Sequence, residues 1–279
     1  MIELDQAYID RVVQAALEED IGHGDITTLI TVPSDTGATA LLVAKQEGVV
    51  AGIAAAEAAF RAVDPELVFR DNITDGRHVT PGKEIAEVSG RAASILTAER
   101  VALNFLQHVS GIATLTAKYV SLVLHTNTKI LDTRKTTPGL RRLEKYAVCV
   151  GGGHNHRFNL SDGVLIKDNH IAAAGSVTAA LTAAKRGAPH TLKIECEVTN
   201  LDELGEAIAA GADAVLLDNM SVDMLRRAVE LAAGRVTTEA SGGVNEQAVA
   251  AIAETGVDLI SVGALTHSAP ALDISLQFR

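Results

Sequence analysis

The chain has 279 residues, of which 47% are hydrophobic and 3% aromatic, so it can form one large domain or two modest ones around an aliphatic core. Acidic residues outnumber basic ones by 35 to 24, and the net charge of −11 disfavours non-specific binding to nucleic acid. Cys149 and Cys196 are far apart, the N-terminus is acidic, and no apolar run is long enough to span a membrane. These features predict a reduced, cytoplasmic protein.

The first part of the chain is predicted to be an α+β domain. Apolar residues recur at helical spacing from Leu4 to Leu17, and a second, alanine-rich helix is predicted from Ala54 to Ala62. Short strands are predicted at Ala38–Val43, Val49–Ala51, Val68–Arg70, His78–Thr80 and Glu84–Val88. No motif here carries chemistry of its own. We therefore assign residues 1–110 to a supporting or dimer-forming domain, completed by a returning strand within residues 266–279.

A long helix follows this domain. Thr97 is predicted to be its N-cap, and the helix is predicted to break near Gly111 and to resume to about Leu124. Arg100 falls in the predicted first turn, where the positive end of the helix dipole disfavours a cation. This position suggests that Arg100 meets an anionic partner.

From Lys129 onward the sequence alternates strand and helix. Six strands are predicted, at Lys129–Leu131, Val164–Ile166, Leu192–Val198, Ala214–Leu217, Val236–Glu239 and Leu259–Val262. Polar residues follow the C-terminal ends of most of them. A barrel gathers all these ends at one face, whereas an open doubly wound sheet gathers only those beside its switch point. We therefore predict an α/β fold with an incomplete parallel α/β barrel over residues 111–265.

Two of these strand ends are cationic. LDTRKTTPGLR follows one strand, and GGGHNHRFNLSDGVLIKDNH surrounds the next. Desolvating so many polar groups costs free energy unless they meet partners or a ligand, so the two stretches predict one anion-binding pocket. Its basic residues include Arg134, Lys135, Arg157 and Lys167, and three histidines lie in the second stretch.

Glycine-rich segments, EASGGV and SVGALT, follow the last two predicted strands. Loops at this end of a barrel commonly bind phosphate through backbone N–H groups, although simple turns also use glycine. The candidate phosphate-binding residues are Ser241, Gly242, Gly243, Val262, Gly263 and Ala264.

Acidic residues end two of the middle strands. Glu195 and Glu197 point to one face of their strand, and Asp218 ends the next. Carboxylates in such positions suit Mg²⁺, which binds substrate phosphates through few protein ligands and several waters. Glu195, Glu197 and Asp218 are the acids that could bind such an ion, and a salt-bridge network with nearby lysines is the alternative.

These motifs occur together and in a specific order. GDITT, AERVALNFLQHVSGIAT, the two cationic stretches, IECEV, LLDNM, EASGGV and SVGALTH resemble the quinolinate phosphoribosyltransferase family over nearly the whole chain. The resemblance implies phosphoribosyl transfer from phosphoribosyl pyrophosphate to quinolinate in NAD biosynthesis. The products would be nicotinate mononucleotide, pyrophosphate and carbon dioxide.

The resemblance also implies a role for each site residue. The quinolinate carboxylates would be held by Arg134, His156, Arg157 and Lys167, with Arg100 reaching in from the second subunit of a homodimer. The catalytic and donor-binding groups would be Lys135, Glu197 and Asp218, with Thr133 beside them and Mg²⁺ on the two acids.

Three other functions stay open at this point. A barrel aldolase would use Lys167 as a Schiff-base amine, which requires a desolvated or otherwise deprotonated lysine. A non-catalytic regulator would bind a sugar phosphate without releasing pyrophosphate. A related pyridine phosphoribosyltransferase would accept nicotinate or another acid, although the many cations favour two carboxylates.

Overall fold

The computed structural model describes residues 4–279, which divide into two compact units. One unit contains the described residues up to Ala117, together with Thr136–Gly152 and Leu265–Arg279. The other contains Lys118–Lys135 and Gly153–Ala264. The predicted barrel domain, residues 111–265, also included residues 111–117, 136–152 and 265, which belong to the first unit.

The helices and strands follow the chain in a regular order. The N-terminal part contains α1 (Gln6–Ile21), α2 (Ile26–Thr31), β1 (Gly37–Ala44), β2 (Gly48–Val49), α3 (Ile53–Val63), β3 (Val68–Asp71), β4 (His78–Val79), β5 (Glu84–Arg91) and α4 (Ala92–Val123). The remainder contains β6 (Lys129–Leu131), α5 (Arg141–Val150), β7 (Val164–Ile166), α6 (Asp168–Ala174), α7 (Val177–Gly187), β8 (Ile194–Val198), α8 (Leu201–Ala210), β9 (Ala214–Asp218), α9 (Val222–Ala232), β10 (Thr237–Ser241), α10 (Val249–Ala253), β11 (Leu259–Ser261), α11 (Ala264–His267) and β12 (Ile274–Phe278).

The first unit is built on an antiparallel sheet with strand order β12-β1-β5-β3. The last strand returns to pair with the first, and Ala44 lies opposite Ile274, so the predicted returning strand is present. Aliphatic side chains fill the core beneath this sheet, as the low aromatic content requires, and Phe60 packs against Phe69 with ring centroids 5.9 Å apart.

Helix α2 was absent from the prediction because six residues are too few to show a helical period. The Asp25 side chain begins it by accepting hydrogen bonds from the backbone N–H and the hydroxyl of Thr28. Three apolar side chains of α2 are more than 70% exposed: Ile26, Leu29 and Ile30.

Helix α4 corrects two predictions. It runs unbroken for 32 residues from Ala92 to Val123, so neither the N-cap at Thr97 nor the break near Gly111 is present. A Cβ on Gly111 would overlap the Pro270 carbonyl oxygen, so this glycine allows close packing and does not end the helix. Arg100 therefore lies beyond the first turn of the helix, and its side chain is exposed to solvent. Its predicted position in the first turn, at the positive end of the helix dipole, was wrong.

The second unit contains a six-stranded parallel sheet in the order β6-β11-β10-β9-β8-β7. Consecutive strands from β7 to β11 are neighbours, and the first strand, β6, pairs with the last, β11. A doubly wound sheet would instead reverse its order at a switch point. The α/β class is confirmed. Closure into a barrel is not, because no strand pairing joins β6 to β7 within residues 4–279.

The outer edge of β6 is partly covered by the segment that precedes β7. His154 forms a parallel bridge with Leu131, in which its N–H donates to the Ile130 carbonyl at 2.8 Å and its carbonyl accepts from Asp132 at 3.1 Å. This bridge fixes the start of the segment that carries His156 and Arg157.

Two local predictions around the glycine turn after β10 need correction. Ser241 is the last residue of β10, where it pairs with Asp218, and does not belong to the loop. The following helix, α10, begins at Val249 and not near Asn245. Within residues 4–279, none of the helices combines the length with the apolar character needed to cross a membrane.

Candidate active site

A cavity of about 500 Å³ opens at the C-terminal ends of the parallel strands in the second unit. Its position follows from the topology, because all six strands run in the same direction and end at the same edge. It is lined by Thr133, Arg134, Lys135, His156, Arg157, Leu165, Lys167, Glu197, Leu216, Asp218, Asn219, Glu239, Ser241, Gly242, Gly243 and Ser261.

Arg157 is a half-buried cation beside a second guanidinium. Its Nη1 donates to the Gly163 carbonyl at 2.9 Å, while its Nε is buried without a hydrogen-bond partner. Burial, followed by repulsion from Arg134, lowers the pKa of Arg157, and attraction to Glu195 opposes both. A bound anion would relieve this repulsion, so the arginine pair is suited to bind a carboxylate or phosphate.

Lys167 and Glu197 form an ion pair across the ends of β7 and β8. Lys167 Nζ lies 2.8 Å from Glu197 Oε2, and the Lys167 side chain is about half exposed. The Lys167 ammonium therefore donates to a carboxylate within the protein. This geometry argues against Lys167 as the neutral amine of a Schiff-base enzyme.

His156 is held from behind by a fully buried carboxylate. Asp132 accepts hydrogen bonds from Asn155 Nδ2 at 2.5 Å and from the His156 backbone N–H at 2.9 Å. His156 Nδ1 accepts from the Arg157 N–H at 2.7 Å, which places the ring proton of the neutral imidazole on Nε2. That proton points at Glu195, 3.2 Å away, with Glu239 at 3.8 Å.

Glu239 is a carboxyl group at the floor of the cavity. Burial raises its pKa to about 7, and the charge of Glu195 adds to the shift, while the charge of His156 opposes it. Neither Glu239 Oε1 nor Ser261 Oγ makes a hydrogen bond, although both are buried. The floor of the cavity therefore offers unused hydrogen-bonding capacity.

A tight turn shapes the opposite wall. Asn219 has a positive φ of 52°, its N–H donates to the Ser241 carbonyl at 2.8 Å, and its Nδ2 donates to Asp218 Oδ2 at 2.8 Å. Gly242 has φ of +91°, and a Cβ there would overlap the Asn219 side-chain amide. Only glycine fits at this position, and the result is an exposed stretch of backbone beside Asp218.

Two protein-family models together match most of this chain. The model described as "Quinolinate phosphoribosyl transferase, N-terminal domain" matches residues 25–110, and the one described as "Quinolinate phosphoribosyl transferase, C-terminal domain" matches residues 112–277. The chain belongs to the quinolinate phosphoribosyltransferase family.

Individual relatives cover nearly the whole chain. The probable nicotinate-nucleotide pyrophosphorylase (carboxylating) of Bacillus subtilis strain 168 is 47% identical over 92% of this chain and 89% of its own length. Quinolinate phosphoribosyltransferase (decarboxylating) 1b of Nicotiana tabacum is 46% identical over 95% and 81%. The structure of the nicotinate-nucleotide pyrophosphorylase from Francisella tularensis has 44% identity and a TM-score of 0.95, with 99% of this chain and 98% of that chain covered.

In this member of the quinolinate phosphoribosyltransferase family, most residues predicted for the site line one cavity. The cavity brings together Thr133, Arg134, Lys135, His156, Arg157, Lys167, Glu197, Asp218, Ser241, Gly242 and Gly243. The lining does not include Arg100, Val262, Gly263 or Ala264. Arg100 lies in the other compact unit, and Val262 is buried with its N–H bonded to the Leu131 carbonyl at 2.9 Å.

Sequence reasoning missed five lining residues: Leu165, Leu216, Asn219, Glu239 and Ser261. One signal for Glu239 was available, because it is the only charged residue in the strand TTEAS. Its partner His156 lies more than eighty positions earlier, so the cluster itself was not visible in the sequence.

Two groups of side chains near the cavity could be considered as metal ligands, and they differ in how well they suit a metal ion. Glu197 and Asp218 end adjacent strands and line the cavity, and their carboxylates suit the hard cation Mg²⁺. The atoms of His156, Glu195 and Glu239 lie within 4.8 Å of one another, but His156 Nδ1 accepts a hydrogen bond. A histidine that binds metal through Nε2 normally donates from Nδ1, so this second set is unsuitable.

Proposed function

We propose that this protein catalyses phosphoribosyl transfer from phosphoribosyl pyrophosphate to quinolinate, with release of pyrophosphate and carbon dioxide. One observation carries the proposal: a single cavity joins four basic side chains, two acids at adjacent strand ends and an exposed glycine turn. The basic side chains are Arg134, Lys135, Arg157 and Lys167. These parts match a dicarboxylate acceptor and a phosphorylated donor.

The donor would occupy the side of the cavity formed by β8, β9 and β10. Gly242 and Gly243 present backbone N–H groups suited to a phosphate, and Lys135 follows a turn in which its N–H donates to Thr133 Oγ1 at 3.0 Å. Glu197 and Asp218 would hold Mg²⁺. Bound Mg²⁺ would supply positive charge to the leaving pyrophosphate.

The acceptor would occupy the side nearer β6 and β7. Arg134, Arg157 and Lys167 would bind its two carboxylates and direct the ring nitrogen at the ribose carbon that bears pyrophosphate. Positive charge develops on the ribose as the pyrophosphate leaves, and the surrounding acids stabilise it. Positioning and electrostatics would therefore supply most of the rate.

The proposal includes a homodimer in which Arg100 completes the site of the second subunit. Arg100 is exposed on α4, so its guanidinium is available to a partner. The exposed apolar side chains of α2 offer a surface for association. The proposal includes a cytoplasmic location, where Cys149 and Cys196 would stay reduced.

The deciding experiment measures the release of pyrophosphate and carbon dioxide when quinolinate, phosphoribosyl pyrophosphate and Mg²⁺ are supplied. Equal amounts of both products are expected. Nicotinate in place of quinolinate tests the related pyridine phosphoribosyltransferase, since it provides only one carboxylate and cannot yield carbon dioxide. Pyrophosphate release with nicotinate alone would contradict the proposal. Binding of the donor without turnover would instead support the non-catalytic regulator.

A further inference from the structure

Glu239 has three features that its place in the scaffold does not explain. It is 1% exposed, its Oε1 makes no hydrogen bond, and it shares the Nε2 atom of His156 with Glu195. A buried carboxylate normally has a full set of donors, because desolvating a charge is costly. A carboxyl group with vacant hydrogen-bonding positions in a binding cavity indicates a residue that becomes satisfied only when a ligand or a proton arrives.

The charges around the cavity add a second observation. Four basic and three acidic side chains line it, and a fourth acid, Glu195, lies 3.2 Å from His156 Nε2. The basic residues are Arg134, Lys135, Arg157 and Lys167, and the acidic ones are Glu195, Glu197, Asp218 and Glu239. With these four acids ionised, their charges cancel those of the four basic side chains. Adding one proton makes the site positive.

We propose that Glu239 is the proton-binding residue of the acceptor site, which takes up one proton from solvent when a dicarboxylate ligand binds and thereby favours dianionic over monoanionic acceptors. The inference rests on the proposed function, because quinolinate is the dicarboxylate in question. The proton forms a neutral carboxylic acid on Glu239, and no other bond changes.

The surroundings of Glu239 support this assignment. Its sheet neighbours are Leu216 on β9 and Leu259 on β11, which are apolar. The polar and charged groups that face it are Glu195 from β8, His156 from the segment before β7, and Ser261 from β11. Burial and the charge of Glu195 raise the pKa of Glu239 to about 7, so the free protein contains both the protonated and the ionised form near that pH. An incoming dianion then raises the affinity for that proton further.

The experiment is calorimetric titration of quinolinate into the full-length protein, in pairs of buffers with different ionisation enthalpies. The slope of observed enthalpy against buffer enthalpy gives the number of protons taken up. At about pH 8 we expect uptake approaching one proton for each quinolinate, and at about pH 6 we expect almost none, since Glu239 is already protonated.

Glu239→Gln is the informative variant because its amide resembles the protonated acid in size and charge. It is expected to bind quinolinate at both pH values without proton uptake. Its KM for quinolinate should stay level between about pH 7 and pH 9, where that of the parent rises by up to about tenfold for each pH unit. Glu230→Gln is the matched control, since it removes one exposed acid on α9 and should behave like the parent.

Each remaining outcome contradicts the inference. Quinolinate binding without proton uptake by the parent overturns the inference and leaves the proposed function intact. Uptake that persists in Glu239→Gln assigns the proton to His156 or Glu195. Zn²⁺ that binds the parent tightly, but not Glu239→Gln, would identify the cluster as a metal site. Failure of quinolinate to bind at either pH overturns the proposed function, and the inference with it.

Discussion

Lys167 Nζ lies 2.8 Å from Glu197 Oε2, and this ion pair joins the two halves of the cavity. Lys167 belongs to the side proposed for the acceptor, and Glu197 to the side proposed for the donor and Mg²⁺. A charge removed from one side therefore changes the electrostatic environment of the other. The two substrates are expected to be coupled through this pair.

The first prediction concerns Glu197→Gln. The substitution releases Lys167 from its partner, so the KM for quinolinate should fall, while the KM for phosphoribosyl pyrophosphate with Mg²⁺ should rise. Because Lys167 is about half exposed, the pair is worth roughly 1 kcal/mol or less, which limits the fall for quinolinate to about fivefold. Initial rates measured with each substrate varied in turn provide the test. A rise in both KM values would contradict the coupling.

The second prediction concerns Gly242→Ala. A Cβ at this position would overlap the Asn219 amide, and φ of +91° is strained for alanine, so the turn must deform. A cost of roughly 1–3 kcal/mol is expected, which should appear as a rise of about fivefold or more in the KM for phosphoribosyl pyrophosphate.

Gly205→Ala is the control for that experiment. Gly205 lies within α8 with open space around it, so alanine there should leave both KM values unchanged and stabilise the helix by up to about 1 kcal/mol. Unchanged donor binding in Gly242→Ala would show that the turn does not hold the donor.

Local sequence patterns were enough to predict the strands whose C-terminal ends surround the cavity. Strand β6 was predicted with its observed bounds, as was β7, because short branched runs between polar turns have a clear signature. Parallel strands place their C-terminal ends together, so the sequence pattern alone was enough to expect Arg134 and Asp218 at one edge.

Tertiary contacts explain what the sequence could not predict. Gly111 resembled a helix break, yet its role is to admit the Pro270 carbonyl, which lies far along the chain. The cluster of Glu239 and His156 depends on the path of the segment after Asp132, whose buried carboxylate holds it in place. Periodicity describes faces and ends of elements, and it contains no information about such distant pairs.

The third prediction concerns stability and pH. The pKa of Glu239 is raised from an ordinary value of 4.5 to about 7, so the folded protein binds this proton more tightly than the unfolded chain. The stabilisation is complete below about pH 4.5 and is lost as the pH rises to about 7, with a total of the order of 3 kcal/mol.

Glu239→Gln should not lose stability in this way as the pH rises, because the amide does not ionise. Its free energy of unfolding, relative to that of the parent, should increase between about pH 5 and pH 7 and then become constant. Urea unfolding across this range measures the difference, with Glu230→Gln as the control. A difference that does not change with pH would mean that Glu239 is already ionised at the lower end.

The fourth prediction concerns the metal. Removing divalent cations with a chelator should abolish turnover, and added Mg²⁺ should restore it. Asp218→Asn should raise the Mg²⁺ concentration needed for half-maximal rate by about tenfold or more, because one anionic ligand is lost. His156→Gln should leave that requirement unchanged, since His156 lies outside the proposed metal site. Full activity in the presence of the chelator would rule out the metal role.

The last prediction is that each active site is completed across a homodimer. Arg100 is exposed and belongs to the compact unit that does not contain the cavity, and the family resemblance assigns it to the neighbouring subunit's site. In a two-fold dimer each subunit then donates one arginine and receives one. Arg100→Ala and Lys135→Ala homodimers should both be severely impaired, because every site has one defect.

Mixing the two variants under conditions of subunit exchange tests the arrangement. A heterodimer should contain one site with both defects and one site with neither. Random exchange gives about half heterodimers, each with one intact site, so activity should recover to about a quarter of the parent value. Mixing Lys135→Ala with Asp218→Ala is the control, because both residues line the cavity of one subunit and every heterodimer site keeps a defect. If the Arg100 mixture stays as inactive as this control while mass spectrometry shows complete exchange, Arg100 acts within its own subunit or not at all.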